Sequence, residues 1–294
     1  MANLKELRGR IKSIASIAQI TRAMEMVASM KLRKVQARAQ SFHPYAEEML
    51  RMIERLARRV EGELELPLFE RREIETTGIL LITSDRGLCG SYNSNLLFEL
   101  RSHIERASQQ HPGRKIRFYC IGRKGYTWLV RRGFPVERYF ADPPLDKIDF
   151  AGARLVADAL AEAFLERKVD EVRLFHSRFR SMIKFEPVDD QFLPVPAIER
   201  EPGERRDYEL DFLLEPDART LFEHLLPSYL EVTVFDAMLQ ALASEQASRR
   251  MAMKSATDAA VRMNKDLKKV YNRARQEAIT KELLDIVGGA NAVG

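Results

Sequence analysis

The sequence predicts an α/β domain inserted between two long terminal helices, which form an antiparallel left-handed coiled coil. Residues 10–61 contain no glycine and a single proline, Pro44, and residues 228–287 contain neither. Both stretches carry apolar residues at heptad spacing, whereas the middle alternates short apolar runs with segments of helical period. We therefore expect three parts, which are an N-terminal coiled-coil helix in 1–61, an α/β globular domain in 62–215 and a C-terminal coiled-coil helix in 216–294.

The first helix is predicted by a long heptad pattern. Alternating steps of three and four residues from Leu4 to Val60 pass through seventeen positions, of which fifteen are apolar and two, Thr21 and Glu25, are polar. Such a helix would be roughly 85 Å long at 1.5 Å per residue. Pro44 is the position at which we expect a kink.

The second helix is predicted by the same count. From Val232 to Leu284, sixteen positions include twelve apolar residues, Met263 and Val270 among them. Gly288-Gly289 follows, and glycine is the usual residue after a helix C-terminus, so we expect this helix to end there.

Two heptad seams of similar length must each pack against another helix. Because a globular insert joins the two helices, the simplest arrangement that buries both seams is an antiparallel coiled coil of the two helices with each other. The alternative is two amphipathic helices that pack in separate bundles. Length argues against it, since helices in globular proteins typically run about 8 to 20 residues.

The insert is predicted to alternate strands and helices, an order that implies a mostly parallel sheet covered on both faces. The predicted strands are 78–83, 115–121, 134–140, 172–179 and 182–188. The predicted helices are 93–110, 123–132 and 151–168.

The charge is distributed unevenly. The formal net charge is +5, but residues 1–40 carry nine Lys/Arg against two Asp/Glu, and residues 245–294 carry ten against six. The two ends therefore total +11 and the middle −6. Two cysteines are too few for a disulfide framework, so we expect a reducing compartment. The N-terminus lacks the apolar region of a secretory signal, and no apolar run is long enough to predict a membrane-spanning helix.

One polar, glycine-containing loop, Thr83–Asn93, leaves the first strand and opens a helix, which is where ligands bind in open α/β sheets. It has neither a P-loop ending nor the G-x-G-x-x-G fingerprint, so a structured turn is the favoured interpretation over a phosphate site. Cys89 has no histidine near it in sequence, and the five histidines are scattered. We predict no catalytic residue, no metal site and no cofactor.

Two other functions remain open at this point. One is an α/β enzyme whose active site is the loop 84–93. The other is a coiled-coil scaffold that binds nucleic acid through its basic ends, although Lys and Arg there are interleaved with an apolar seam and few aromatic residues. Contact with an acidic protein surface explains the charge as well.

Five segments closely resemble the gamma subunit of F-type ATP synthase, and together they reach both ends and the middle of the chain. They are ITRAMEMVA at 20–28, ITSDRGLCG at 82–90, ASEQASRRMAMKSATD at 243–258, VYNRARQEAIT at 270–280 and ELLDIV at 282–287.

The resemblance implies a rotor that makes no bonds itself. In that family the coiled coil fills the centre of a hexamer of alternating alpha and beta subunits, while the base and globular domain engage epsilon and a membrane ring of c subunits. It implies one copy per complex, no nucleic acid, no cofactor and no direct membrane span. The chain lacks the paired-cysteine loop that resembles the chloroplast form and begins without a transit peptide, so we expect the cytoplasmic face of a bacterial plasma membrane.

The resemblance also implies the partner-binding residues of the shaft. Glu25 and Arg249 stand at seam positions where a dry coil would have apolar groups, so we expect contacts there with something other than the seam, although an ion pair across the coil would also explain Glu25. Met24 is implied to face an acidic loop of a catalytic subunit. The apolar end of the second helix is expected to turn against an apolar sleeve. The full predicted set is Met24, Glu25, Arg249, Arg250, Arg273, Arg275, Gln276, Ile279, Leu283, Ile286 and Val287.

Overall fold

The computed structural model describes residues 4–60, 67–147, 149–196 and 218–293. The chain divides into two compact units. Met1–Met30 with Arg249–Gly294 form the coil unit, and Lys31–Ser248 form the sheet unit.

Both predicted terminal helices are confirmed. Helix α1 spans Leu4–Val60 and helix α5 spans Ala218–Val293. Helix α1 continues through Pro44, which is exposed. The predicted end of the second helix at Gly288-Gly289 is wrong, because α5 continues through both glycines. A glycine inside a helix costs only about 1 kcal/mol relative to alanine, which does not by itself end a helix.

In the part that the structure describes, the insert contains a five-stranded sheet and three α-helices. Its strands are β1 (Thr76–Ile82), β2 (Lys115–Ile121), β3 (Val136–Phe140), β4 (Glu171–Phe179) and β5 (Phe185–Leu193). The helices are α2 (Tyr92–Gln110), α3 (Arg123–Arg131) and α4 (Phe150–Leu165). The strand order is β3-β2-β1-β4-β5, and all neighbours are parallel except β4 and β5. The predicted mostly parallel sheet is confirmed.

Strand β1 is buried on both faces because its side chains alternate between two cores. Ile79 and Leu81 belong to a core with residues of α2 and α3, while Leu80 and Ile82 belong to a core with residues of α4 and of the sheet-unit part of α5. A central parallel strand covered by helices on both sides needs such a continuous apolar run.

The last strand was predicted too early. Met182 and Ile183 lie in the turn before β5, where Ile183 is 77% exposed and the Arg180 and Ser181 amides both donate to the Lys184 carbonyl. Strand β5 instead continues to Leu193 through Asp189 and Asp190, whose polar side chains concealed it.

Candidate functional site

The coil unit is built around a seam between α1 and α5. On α1, every heptad position from Leu4 to Ala28 is buried or half-buried, while most of the positions between them are exposed. The predicted seam of the first helix is therefore confirmed in this unit. Its members are Leu4, Leu7, Ile11, Ile14, Ala18, Thr21, Glu25 and Ala28.

After Ala260 the predicted seam of α5 is right at Leu267 and Ala274, which are half-buried, and wrong at the other positions. Met263, Val270, Glu277, Lys281 and Leu284 were predicted to be in the seam, but all five are exposed. The least exposed positions follow steps of four and three residues, a spacing typical of a left-handed coiled coil. They are Met253, Thr257, Ala260, Asn264, Leu267, Tyr271, Ala274 and Ala278. The prediction missed Asn264 and Tyr271 because it chose the apolar residue directly before each of them, Met263 and Val270.

Hydrogen bonds explain how polar residues fit into this seam. The Thr257 hydroxyl lies 2.7 Å from the Thr21 hydroxyl, and the Asn264 amide donates to the Ile11 carbonyl at 2.9 Å. Thr257 is 4% exposed, and its hydroxyl also lies 2.8 Å from the Met253 carbonyl of its own helix, so this buried group has a hydrogen-bond partner on each helix. These contacts also show that the helices are antiparallel, because a later residue of α5 meets an earlier residue of α1.

Four of the predicted site residues, two on each helix, have partly exposed side chains. Met24 and Glu25 on α1, and Arg249 and Arg250 on α5, are all half-buried. Among the residues that the structure describes, Glu25 forms no ion pair, so the alternative of an ion pair across the coil receives no support.

The remaining predicted site residues follow one another along the C-terminal part of α5, and all are exposed. Arg273 pairs with Glu277 at 3.0 Å, four residues along the same helix, while Arg275 and Gln276 project to solvent. The apolar members are Ile279, Leu283, Ile286 and Val287, with Ile286 68% exposed.

A second apolar surface of the coil unit lies outside the seam. Large apolar side chains that are exposed occur on both helices, and exposed apolar side chains that form a continuous patch are typical of a surface that contacts a partner. Sequence reasoning missed most of these residues because it searched for the seam alone, although apolar residues off the heptad positions were the available signal. Among the described residues they are Ile17, Ile20, Met26, Val27, Met30, Met251, Val261, Met263, Val270, Ile279, Leu283, Leu284, Ile286 and Val287.

The loop after β1, the candidate active site of the enzyme alternative, is occupied by its own hydrogen bonds. The Asp85 carboxylate accepts from the Arg123 amide at the start of α3 and from the Leu145 amide, at 3.0 and 3.3 Å. The buried Ser84 bonds Asn93, and the Ser248 hydroxyl donates to the Cys89 carbonyl at 2.6 Å. The loop therefore ties β1 to the elements around it, as expected for a structured turn.

The cysteines and histidines make structural contacts. Burial raises the pKa of the Cys120 thiol far above its ordinary value, which disfavours a reactive thiolate. His176 bonds the Asp190 carboxylate at 3.1 Å, and His103 bonds that of Asp189 at 3.0 Å. The hydrogen bond from His176 holds the pKa of Asp190 below its ordinary value, against the effect of burial. Within the described ranges no group of three or more His, Cys, Asp or Glu is placed to hold a metal ion.

Across 4–60, 67–147, 149–196 and 218–293, no helix combines the length and the apolar character that crossing a membrane requires.

Comparison with known proteins matches the chain over its whole length. A family model described as ATP synthase covers residues 3–293. The ATP synthase gamma chains of Polaromonas naphthalenivorans and Cupriavidus necator are each 39% identical to this chain, with 100% of both chains covered. That of Chloroherpeton thalassium is 36% identical, with 100% of this chain and 99% of the other covered.

Solved structures with the same fold are central parts of ATP synthases. A chain of the Euglena gracilis mitochondrial ATP synthase, from a structure of OSCP, F1 and the c-ring, gives a TM-score of 0.67 at 17% identity, covering 99% of this chain and 94% of that one. A chain from the central stalk and c-ring of the Tetrahymena thermophila mitochondrial enzyme gives 0.59 at 22% identity, covering 81% and 99%. At these identities the likeness shows the fold, and the family follows from the full-length sequence matches. The chain belongs to the ATP synthase gamma-chain family.

Proposed function

We propose that this chain is the central rotating shaft of a proton-translocating F-type ATP synthase, and that the coil unit turns inside a ring of alpha and beta subunits. The observation that carries the proposal is the second apolar surface of the coil unit, present on a helix pair whose own seam is already closed. Apolar contacts are not directional, so an enclosing partner can slide over such a surface while breaking few hydrogen bonds.

Rotation would couple the shaft to catalysis through unequal contacts. A shaft that touches three otherwise equivalent catalytic subunits differently favours a different conformation in each of them. A ligand shifts a conformational equilibrium only by its difference in affinity for the alternative states, and a turning shaft presents this difference to each subunit in succession. Proton flow that turns the shaft would thereby drive ATP formation, and ATP hydrolysis would turn it in reverse.

Two groups of coil-unit residues are proposed to make these contacts. The exposed apolar residues Ile279, Leu283, Ile286 and Val287 turn against an apolar sleeve. The remaining members meet polar and acidic surfaces of the catalytic subunits, and the Lys/Arg excess of both helices in this unit suits an acidic partner. They are Met24, Glu25, Arg249, Arg250, Arg273, Arg275 and Gln276.

We further propose the rest of the assembly from the family and from the solved complexes that share this fold. One copy of the chain engages the epsilon subunit and the c-subunit ring, on the cytoplasmic face of a bacterial inner membrane. The functional division is a first coil helix in 1–61, a globular domain in 62–215 and a second coil helix in 216–294.

The chain is proposed to be non-catalytic by itself. In support, the loop after β1 uses its Asp85 carboxylate to hold two backbone amides, which leaves it poorly placed for acid–base chemistry. Nucleic-acid binding receives less support, because the coil unit exposes aliphatic side chains and methionines rather than stacked aromatic rings.

Purification of the tagged chain from its native cells tests the proposal. Alpha and beta subunits should co-purify in a complex that hydrolyses ATP, whereas the isolated chain should show no turnover. Two results would contradict the proposal. The first is ATP hydrolysis by the isolated chain that is lost in Asp85→Asn but kept in the matched surface variant Ser94→Ala. The second is salt-sensitive binding to DNA or RNA without any co-purifying subunit.

A further inference from the structure

Four methionines lie at one level of the coil unit. The hydrogen bond between the Thr257 and Thr21 hydroxyls shows that these two residues face each other. Because the helices are antiparallel, a count of six residues back along α5 and six forward along α1 brings Met251 level with residue 27. The methionines of this level, which is roughly 9 Å long, are Met24, Met26, Met30 and Met251. We call them the methionine belt.

The methionine belt surrounds the helix pair. Met24 and Met26 are the two neighbours of the seam residue Glu25, so each lies about 100° from it, on opposite flanks of α1. Met30 and Met251 each lie two residues from a seam residue, a step of about 200°, so both face away from the seam. Met24 is half-buried, and the other three are 57%, 62% and 42% exposed in chain order. The belt therefore presents methionine on both flanks of α1 and on the outer faces of both helices.

The packing of the coil unit does not explain why these residues are methionine. Their side chains lie outside the seam, and leucine forms helices equally well at a similar volume. Val27 is the only other large apolar side chain exposed in 24–30 and 249–254, ranges that the structure describes in full. At the C-terminal end of α5 the exposed apolar side chains are instead all branched, and they are Ile279, Leu283, Leu284, Ile286 and Val287.

Methionine differs from these branched residues in flexibility. Its side chain is unbranched, has three rotatable bonds and carries a polarizable sulfur, so it fits irregular surfaces and is common where one site binds several partners. Branched side chains have fewer accessible rotamers and suit a surface of fixed shape. The contrast indicates that the belt meets a partner surface that changes shape, whereas the end of α5 meets one that does not.

The charge around the belt indicates the chemistry of that partner. Residues 20–30 and 249–254 contain four basic side chains and one carboxylate, that of Glu25. The basic residues are Arg22, Arg249, Arg250 and Lys254. A segment that carries acidic side chains beside apolar ones is complementary to such a surface.

We propose that the methionine belt is an adaptable contact surface for one acidic, apolar segment of the catalytic subunits, which it meets in a different conformation in each of them. This statement deepens the proposed function and rests on it. A turning shaft brings the same belt against each conformation in succession. The unequal contacts that drive catalysis must not become so unequal that one position traps the shaft, because the population moves to the best-fitting state. Flexible methionines keep contact with every conformation and limit that inequality.

ATP hydrolysis by the chain assembled with alpha and beta subunits tests the proposal. The variant Met26→Leu/Met30→Leu/Met251→Leu keeps the size and apolar character of the belt but adds a branch to each side chain. We expect the subunits to assemble in unchanged proportions, and the melting temperature of the chain measured alone to stay the same. The maximal rate should fall between about two- and tenfold, since swaps that conserve apolar volume shift an equilibrium by up to about tenfold.

A matched control places the same substitution outside the coil unit. Met52 and Met182 are exposed methionines of the sheet unit, at 46% and 45%. Met52→Leu/Met182→Leu should hydrolyse ATP at the parent rate. A belt variant that also keeps the parent rate would overturn the proposal, and so would an equal loss in the belt and control variants.

Norleucine separates flexibility from sulfur chemistry. A chain made with norleucine in place of methionine, assembled with natural alpha and beta subunits, keeps unbranched side chains in the belt. It should hydrolyse ATP at close to the parent rate, and a rate as low as that of the leucine variant would contradict the proposal. If the triple variant does not assemble, Met30→Leu takes its place in both comparisons. Failure of the parent chain to assemble with alpha and beta subunits would instead contradict the rotor function.

Discussion

Gly122 stands at the junction of β2 and α3, at a point that excludes any side chain. Its φ of +92° lies in a region that L-residues with a Cβ rarely adopt, and a Cβ there would lie 2.0 Å from the Thr83 carbonyl oxygen. Thr83 cannot easily retreat, because its amide bonds the Ile121 carbonyl and its hydroxyl accepts from the Gly125 amide at 2.8 Å. Gly122→Ala should therefore destabilise the sheet unit by two separate effects.

The magnitude follows from adding these effects. Placing alanine at positive φ costs about 1–2 kcal/mol, and forcing a close-packed backbone to move costs about 1–3 kcal/mol. The sum, roughly 2–5 kcal/mol, is a large part of the 5–15 kcal/mol by which domains are typically stable. Gly133 provides a matched control, since its φ is +74° but nothing lies within 4 Å of the Cβ position. Gly133→Ala should incur the strain alone.

Urea unfolding of the full chain measures the difference between the two variants. Trp128 is the single tryptophan and lies in α3, so its fluorescence reports on the helix that follows Gly122. We expect the unfolding midpoint of Gly122→Ala to fall well below that of Gly133→Ala. Equal midpoints would refute the reasoning, because the close approach to Thr83 would then contribute nothing.

Three further predictions concern the coil unit, the partner contact and the response to acid. Ile14→Asp and Leu267→Asp should each lower the melting temperature of the chain measured without its partners, because they place a charge in the seam. Met263→Asp, at a position predicted to be in the seam but found exposed, should leave it unchanged. Equal melting temperatures for all three variants would contradict the observed seam. Met24→Lys should leave assembly and ATP hydrolysis largely intact but lower vesicle acidification per ATP, because a new positive charge favours one rotor position over the others. Acidification equal to that of the parent would place Met24 in ordinary packing. Burial alone would raise the pKa of Asp189, but hydrogen bonds from His103 and Arg173 outweigh it and the pKa lies below its ordinary value. The stability that Asp189 contributes is therefore fully present above the ordinary carboxyl pKa of about 3.9 and is lost as the pH falls toward the lowered value. Urea titrations at a series of pH values should show that the free energy of unfolding falls less steeply with acid in Asp189→Asn than in the parent. Parallel curves would count against this linkage.

The sequence predicted the elements whose periodicity is carried by apolar residues. The seam of α1 in the coil unit was found because nearly all of its members are aliphatic. The α5 seam was misplaced by one residue at alternate positions, where Met263 and Val270 were chosen instead of Asn264 and Tyr271, and only the facing helix shows how Asn264 satisfies its hydrogen bond. A heptad count that rewards apolar residues alone cannot find such positions.

The same reason explains the misplaced last strand and the loop. Asp189 and Asp190 of β5 resemble loop residues until His103 of α2 and His176 of the neighbouring strand β4 are seen to pair with them. The amides that Asp85 holds likewise come from 38 and 60 residues further along the chain. Contacts between residues so far apart depend on the tertiary fold, and no local pattern encodes them.

Rotation of this chain inside its complex is the most direct test of the account. Gln110 is exposed at the end of α2, so Gln110→Cys offers a labelling site while the native cysteines stay buried. A gold nanorod attached there, with the alpha and beta subunits fixed to glass, would report the angle of the chain during ATP hydrolysis. The account predicts rotation in one direction, at a speed that rises with ATP concentration until it saturates. A rod that stays fixed, or only fluctuates, while the same complexes hydrolyse ATP would contradict it.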